Sequence, residues 1–433
     1  MTISSSLQAG VAGLNANANK LAGIADNIAN SSTYGYKRAE TDFFSFVVQG
    51  AGSSSYTAGG VRTSSVRMID DQGPLIGSDN STDLAVDGRG FIAVTDISAM
   101  PAGSNFPISL MTTGSFRQDE DGILRTSMGQ VLMGWPANAD GTMGTFPRDS
   151  FSGLVPVQIN ENQAVANPTT KVGFGVNLPF SSTKAGASGT VEAMSVEYFG
   201  NLGNSETLDV TYTPTVAASG ASNTWTMTIT DSASGGAVVG EYQLTFSNAQ
   251  TGGGTLASVT TISGAAYDGA TGSIPITVGG GTIALDIGKL GVTGGISQLD
   301  GNFSPVNVTK NGSPVATIAS LELDDKGNLL AVYNQGFTRT LFQIPVVSVP
   351  NPNGLVSTSS QTYKVSPDSG AISLWDAGTG PVGKVVGYSR EESTTDVAAE
   401  LTQLIQTQRA YSSNAKVIQT VDEMLQETAN LKR

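Results

Sequence analysis

The chain has 433 residues, 39% hydrophobic and only 13% charged, with a net charge of −14 and neither Cys nor His. Single cores rarely grow past about 250 to 300 residues, so this length calls for more than one domain. The missing residue types exclude disulfides, thiolate or imidazole metal sites and imidazole general-base catalysis, and the acidic balance argues against a nucleic-acid partner.

The chain opens on a seven-residue apolar beat. Leu7, Leu14, Leu21 and Ile28 fall seven apart, with Val11, Ala18 and Ala25 between them. A stripe repeating every 3.5 residues marks a helix built to lie along another helix. The predicted helix runs from Ile3 to Asn30, roughly 40 Å long. Gly10, Gly13 and Gly23 each cost about 1 kcal/mol against Ala, so the helix is marginal alone and depends on tertiary packing. Its first charged side chain is Lys20, which suits a helix buried in an assembly. The segment lacks the positive n-region and continuous apolar run of a cleavable signal. Nothing in the chain approaches the roughly 18 apolar residues of a membrane span, so no membrane insertion is expected. Asn30-Ser-Ser-Thr-Tyr-Gly35 then stops the helix with turn formers. Phe43, Phe44, Phe46, Val47 and Val48 precede the Gly/Ser-rich run Gly50 to Gly60, expected as a loop or compliant bridge.

From Val61 the pattern changes to short strands, among them Leu84 to Val86, Phe91 to Val94, Gly114 to Arg117 and Gln130 to Trp135, separated by turns such as Asp87-Gly88 and Asp121-Gly122. Strand signals return at Ala316 to Leu323, Leu329 to Tyr333 and Phe337 to Val349. Between them, the block from Ala185 to Gly288 contains no Lys or Arg. Its alternating stretches, Leu208 to Tyr212, Trp225 to Ile229 and Tyr242 to Phe246, point to a separate β-sandwich or barrel. The last segment begins at Ser393-Thr-Thr-Asp396, a helix N-terminus signal. It repeats the opening beat with Val397, Leu404, Tyr411, Ile418 and Leu425, and with Leu401 and Ala415 between. This helix is predicted to reach Leu431, roughly 54 Å, with Lys432 and Arg433 at the favourable end of its dipole.

The fold class read from these elements is α+β and multidomain. Terminal α-helices form a coiled-coil-like stem, and β-rich middle and outer domains, each a barrel or sandwich, are inserted between them. The expected division is residues 1–30 with 393–433 as a helical polymerisation domain and 31–75 as a linker or bridge. Residues 76–164 with 296–392 form a middle β domain, and 165–295 an outer one. The expected seam is Leu7, Val11, Leu14, Leu21 and Ile28 against Val397, Leu401, Leu404, Tyr411, Ile418 and Leu425, within one chain or between neighbouring copies.

No motif carries catalysis. Asp119-Glu-Asp121-Gly122 faintly resembles a calcium loop, but its twelfth position is Gln130 and not Glu, so a hairpin turn is the better reading. Val86-Asp-Gly-Arg-Gly90 lacks the Gly-Lys-Ser/Thr of a phosphate cradle. Asp324-Asp325 precedes Lys326-Gly327 as another turn, and adjacent carboxylates in extended chain point opposite ways. Asn30-Ser-Ser and Asn80-Ser-Thr match glycan acceptor patterns of low specificity. No catalytic residue, cofactor or metal site is expected.

Two end motifs carry a family resemblance. Leu14-Asn-Ala-Asn-Ala-Asn-Lys-Leu21, Asp26-Asn-Ile-Ala-Asn30 and Thr33-Tyr-Gly-Tyr-Lys37 resemble the N-terminal signature of bacterial flagellar axial proteins. Gln408-Arg-Ala-Tyr411, Asn414-Ala-Lys-Val-Ile418 and Asp422-Glu-Met-Leu425 resemble their C-terminal signature. On these motifs Asn27, Asn30, Thr33, Gly35, Lys37, Arg409 and Asn414 are the family-motif residues. Thr82-Asp-Leu-Ala-Val-Asp-Gly-Arg-Gly-Phe91 fits the rod and hook members. Length, the outer block, Gln298-Leu-Asp-Gly-Asn-Phe303 and the ending Ala429-Asn-Leu-Lys-Arg433 are similar to the hook members. The resemblance covers roughly the first 150 and last 135 residues. It implies a non-enzymatic subunit polymerising with itself into a curved, flexible extracellular tube, with the helices lining its inner wall. Its implied partners are distal rod, hook cap and hook–filament junction proteins, and the flagellar export apparatus that secretes such chains without a cleavable signal. Three other readings stay open: a distal rod or junction protein of the same group, a surface adhesin whose outer domain binds glycans, and a secreted β-rich hydrolase using carboxylates.

Overall fold

The computed structural model describes residues 3–45, 59–98, 106–160 and 164–430. Phe46, Val47 and Val48, all but the last two residues of the Gly50 to Gly60 run, and Leu431, Lys432 and Arg433 lie outside the described residues. The architecture is α+β, with a long helix near each end and β-sheets between. The chain divides into two compact units. One is Met1–Glu161 with Ser320–Val332 and Thr338–Arg433; the other is Asn162–Ala319 with Tyr333–Phe337.

In the first unit, helix α1 (Ile3–Ala29) packs against helix α2 (Val397–Asn430). Asp396 caps α2, its Oδ1 accepting the backbone N–H groups of Ala398 at 2.9 Å and Ala399 at 3.2 Å, which satisfies donors that a helix start otherwise leaves open. Strands β1 (Ala39–Ser45) and β2 (Val61–Arg67) form an antiparallel hairpin. It lies along α1, where Asn19 donates to Thr63 Oγ1 at 3.0 Å.

The β part of this unit is built around the strand Phe91–Asp96, which pairs antiparallel with Ile108–Met111, Gln130–Pro136 and Val346–Ser348. Phe91, Leu110, Met133, Trp135, Val347 and Leu374 fill its core. The motif at Thr82 to Phe91 is structural here. Buried Asp83 Oδ1 accepts from Asn80 Nδ2 at 2.6 Å, Ser115 Oγ at 2.7 Å and Arg117 Nη1 at 2.8 Å. The Asp119 loop is a turn: Asp119 Oδ1 accepts Ile123 N–H at 2.9 Å and its Oδ2 takes Arg125 Nε at 3.0 Å. Asp324 closes a similar turn onto Lys326 and Asn328. Among the described residues, no group of three or more acids is arranged to hold a metal ion.

The core of the second unit is a sandwich of two five-stranded sheets, beside which Val165–Asn167 and Ser313–Ala316 pair as a small separate sheet. One sheet is an antiparallel meander in sequence order: Glu192–Phe199, Ser205–Pro214, Thr224–Asp231, Ala237–Phe246 and Leu256–Ser263. In the other, Lys171–Pro179 pairs with Gly281–Asp286, Ser297–Leu299 and Ser304–Lys310. Strict in–out alternation along Thr224–Asp231 is the period-two pattern that sends Trp225, Met227 and Ile229 into the core and threonines outward. Asp231 is buried among these strands and accepts from Tyr198 Oη at 2.6 Å, Ser234 Oγ at 2.5 Å and Gly279 N–H at 3.1 Å. Burial works to raise its carboxyl, but these hydrogen bonds outweigh it and hold the group below the usual range.

Candidate assembly site at the paired terminal helices

The helices run antiparallel, with Gly10 beside Ile418, Gly13 beside Asn414 and Asn27 beside Glu400. A Cβ at Gly10 would lie 3.1 Å from Ile418 Cγ1, and one at Gly13 only 2.8 Å from Asn414 Nδ2. The two glycines therefore let the backbones approach closely, which offsets their cost in helix propensity. The residues that α1 buries are Gly10, Gly13, Ala16, Asn17, Ile24 and Asn27. These include a seven-residue repeat, 10-17-24, three positions on from the leucine stripe, and the pair 13 and 27, each one position before a stripe residue. Opposite them α2 buries Glu400, Thr407 and Val421.

The predicted seam residues occupy the flanks of this contact. Leu7, Leu14, Leu21, Ile28, Leu404 and Ile418 are half-buried, while Val11, Val397, Leu401, Tyr411 and Leu425 are exposed. Ile418 is brought onto α1 through Gly10. Ile405, four residues after Leu401, is half exposed at 50%. The arrangement leaves apolar surface on both helices after their mutual contact is complete.

The first turns after α1 and the last residues before α2 are tied by a buried polar junction. Asn27, 1% exposed, uses both amide hydrogens and its carbonyl oxygen there. Its Nδ2 donates to Ala39 O at 2.9 Å and to Glu400 Oε1 at 3.0 Å, and its Oδ1 accepts Ala39 N–H at 2.8 Å. Asn30 closes the helix end by donating to Asp26 O at 2.9 Å and accepting from Thr33 Oγ1 at 3.3 Å. Gly35 has φ of +69° and donates to Glu391 O at 2.8 Å, a left-handed position that favours glycine. Lys37 is buried and donates to Glu391 Oε1 at 2.7 Å and Asp71 O at 2.5 Å. Glu391 Oε1 also accepts Gly73 N–H at 2.8 Å. The motif residues Asn27 to Lys37 therefore hold the fold's two ends together. Of the C-terminal pair, Asn414 sits over Gly13, whereas the exposed Arg409 guanidinium has no hydrogen bond or ion pair among the described residues.

Tyr36 belongs to the same junction. Its hydroxyl lies 2.9 Å from Asp26 Oδ2 and 3.1 Å from Asn27 Oδ1, and Arg67 stacks 4.9 Å from its ring centre. Burial, followed by the hydrogen bond to Asp26, pushes its phenol up to about 12 from 10.0. Between those values the unfolded chain has released a proton that the folded chain keeps. The neutral phenol's contribution is thus complete below pH 10 and drains as pH rises toward 12. Denaturant midpoints measured across this alkaline range are expected to fall more steeply for the wild type than for Tyr36→Phe; parallel curves would refute this.

The sequence reading overlooked Glu391, Glu400 and the Gly10/Gly13 contact, and it placed Tyr36 in the N-terminal signature without a role. The Gly-x-x-Gly spacing at 10–13 was the available signal for a close helix approach. The two glutamates carry no local pattern, because these partners are 318 to 373 residues away.

The geometry defines a class: a chain whose two ends form one antiparallel helical stem, with β domains between them in the chain. A family model for flagella basal body rod protein matches residues 7–37, and one for the C-terminal part of flagellar basal body rod FlgEFG protein matches 386–431. Whole-length relatives narrow this. The chain is 33% identical to the flagellar hook protein FlgE of Brucella suis biovar 1 (strain 1330) and 34% identical to that of Rhizobium meliloti (strain 1021), covering 100% of both chains in each case. It is 28% identical to the Escherichia coli (strain K12) hook protein over 98% of each chain. The chain belongs to the flagellar hook protein FlgE family, a family of structural, non-enzymatic subunits of the flagellum. Among the described residues, no helix is long and apolar enough to cross a membrane.

Proposed function

We propose that this chain polymerises with itself into the hook, a curved, flexible extracellular tube that joins rod to filament and transmits torque as a universal joint. Contacts that do not close on themselves generate a helical polymer. The observation that carries this reading is the apolar surface that remains once α1 and α2 have paired: Val11 is 44% exposed, Leu401 47% and Ile405 50%. Exposed apolar stripes on paired helices are surfaces for further helices. In this reading residues 1–30 and 393–433 form the polymerisation domain, residues 76–164 with 296–392 the middle domain and 165–295 the outer one. The half-buried leucines and Val397, Leu401, Tyr411 and Leu425 complete their burial against neighbouring copies. Export occurs through the flagellar secretion apparatus without a cleavable signal, and the tube ends engage distal rod, hook cap and hook–filament junction proteins.

Leu401→Asp tests it. An exposed substitution of this kind changes monomer stability by about 0.5 kcal/mol or less, but a charge facing an apolar neighbour loses assembly. Expected are an unchanged thermal melt of the monomer and no hooks by electron microscopy of cells carrying only the variant. Normal hooks from that variant would sink the helix-mediated reading.

A further inference from the structure

A cavity of about 140 Å³ opens beside the N-terminal end of α2, lined by residues of α1, β1 and α2, among them Lys20, Arg38, Glu40, Asp42 and Glu400. Its floor is unusual. Glu400 is 2% exposed, and while its Oε1 accepts from Asn27, its Oε2 is buried with no hydrogen-bond partner. A buried carboxylate oxygen left this way is costly and calls for a donor. Of the cations already present, Arg38 pairs with Glu40 through Nη2 at 2.6 Å and more loosely with Glu400 Oε1 through Nη1 at 3.8 Å, and Lys20 lies over the Phe43 ring at 5.4 Å; neither hydrogen-bonds Glu400 Oε2. At the rim, the exposed Asp42 carboxylate has no hydrogen bond or ion pair among the described residues. Two cations thus face three carboxylates, and the two unsatisfied groups are both acceptors.

We propose that this cavity receives the Arg409 guanidinium of a second copy of the chain, with Asp42 at the rim and Glu400 at the floor. The inference rests on the self-assembly reading above. Arg409 is the only guanidinium on α1 or α2 among the described residues, and it lacks a partner within its own chain among them. It also continues the exposed stripe of Val397, Leu401 and Ile405 at the same four-residue step, so the surface that docks a neighbour presents it. A planar fork with five donors can serve two carboxylates at once, which a lysine ammonium does less well. The pairing sets register between copies, as charge complementarity at an interface does.

The test is complementation in trans. Arg409→Glu and Asp42→Arg each place like charges at the contact. Each variant alone is expected to melt as the wild type does and form no tubes, whereas an equal mixture of the two assembles, because alternating copies then pair residue 409 with residue 42 at the rim as opposite charges. Wild-type assembly by Arg409→Glu alone, or a mixture that stays monomeric, overturns the proposal. Leu401→Asp separates the two ideas: if it blocks assembly while Arg409→Glu does not, only the guanidinium contact fails. Lys416→Glu, which reverses the other described cation of α2, is expected to assemble; its failure alongside Arg409→Glu would show a general charge effect and overturn the specific pairing.

Discussion

Lys37→Met is expected to lower the unfolding free energy of the helical unit by about 3 to 5 kcal/mol, the cost of leaving one member of a buried ion pair uncompensated. Lys37 Nζ and Glu391 Oε1 are 2.7 Å apart, with 3% and 1% of their side chains exposed. Methionine keeps the length of the stem but leaves the buried Glu391 carboxylate without its counter-charge, with the Gly73 N–H still donating to it, and takes the ammonium from the Asp71 carbonyl. Lys37 follows α1 closely and Glu391 precedes α2, so the loss falls on the junction that gathers both ends of the chain. The change is read by urea titration followed through Trp135, which lies in this unit's core, while Trp225 in the sandwich core serves as the control. The double variant Lys37→Met/Glu391→Leu should recover much of the loss, since apolar replacement of a whole buried pair is often neutral. A single variant within about 1 kcal/mol of wild type would mean that the pair is not buried in solution.

Asn27→Asp is nearly isosteric and is expected to cost about 3 kcal/mol or more, since each unsatisfied buried group costs about 1 to 3 kcal/mol before the repulsion of like charges. The introduced carboxylate retains the bond from Ala39 N–H but loses both donors. Ala39 O and Glu400 Oε1 then face it across the 2.9 and 3.0 Å now spanned by hydrogen bonds. Adding Glu400→Gln supplies an amide donor to the new carboxylate, and the double variant is expected to regain stability. Equal melting of Asn27→Asp and wild type would contradict the bridging role assigned to Asn27. The damage should also reach assembly, because α1 and α2 lose the pairing that positions their exposed stripes.

Much of the architecture is legible in the chain. Strand alternation at Trp225 to Ile229 and the Asp-Gly turns act over a few residues, so local pattern reports them directly. The same is true of the Asp396 cap. The helix seam is different. Leu7, Leu14, Leu21 and Ile28 are the most apolar stripe on α1, yet the contact within the chain uses Gly10, Gly13, Asn17, Ile24 and Asn27. Periodicity announces a helix partner, but it does not say whether that partner is the chain's other end or a second copy. The glycines answer that through close approach, a property of backbone distance and not of hydrophobicity.

The sequence by itself determined the α+β class, the two terminal helices, the β-rich middle and the family, because each of these rests on short-range periodicity, turn chemistry or contiguous motifs. Only the tertiary structure decided which face of α1 meets α2, why the Asn27 to Lys37 motif has those residues, and where unsatisfied carboxylates remain. Those facts depend on pairs such as Asn27 with Glu400 and Lys37 with Glu391, separated by more than 350 residues. A single sequence carries no local signal for contacts of that span, since the energy that selects them arises only after burial.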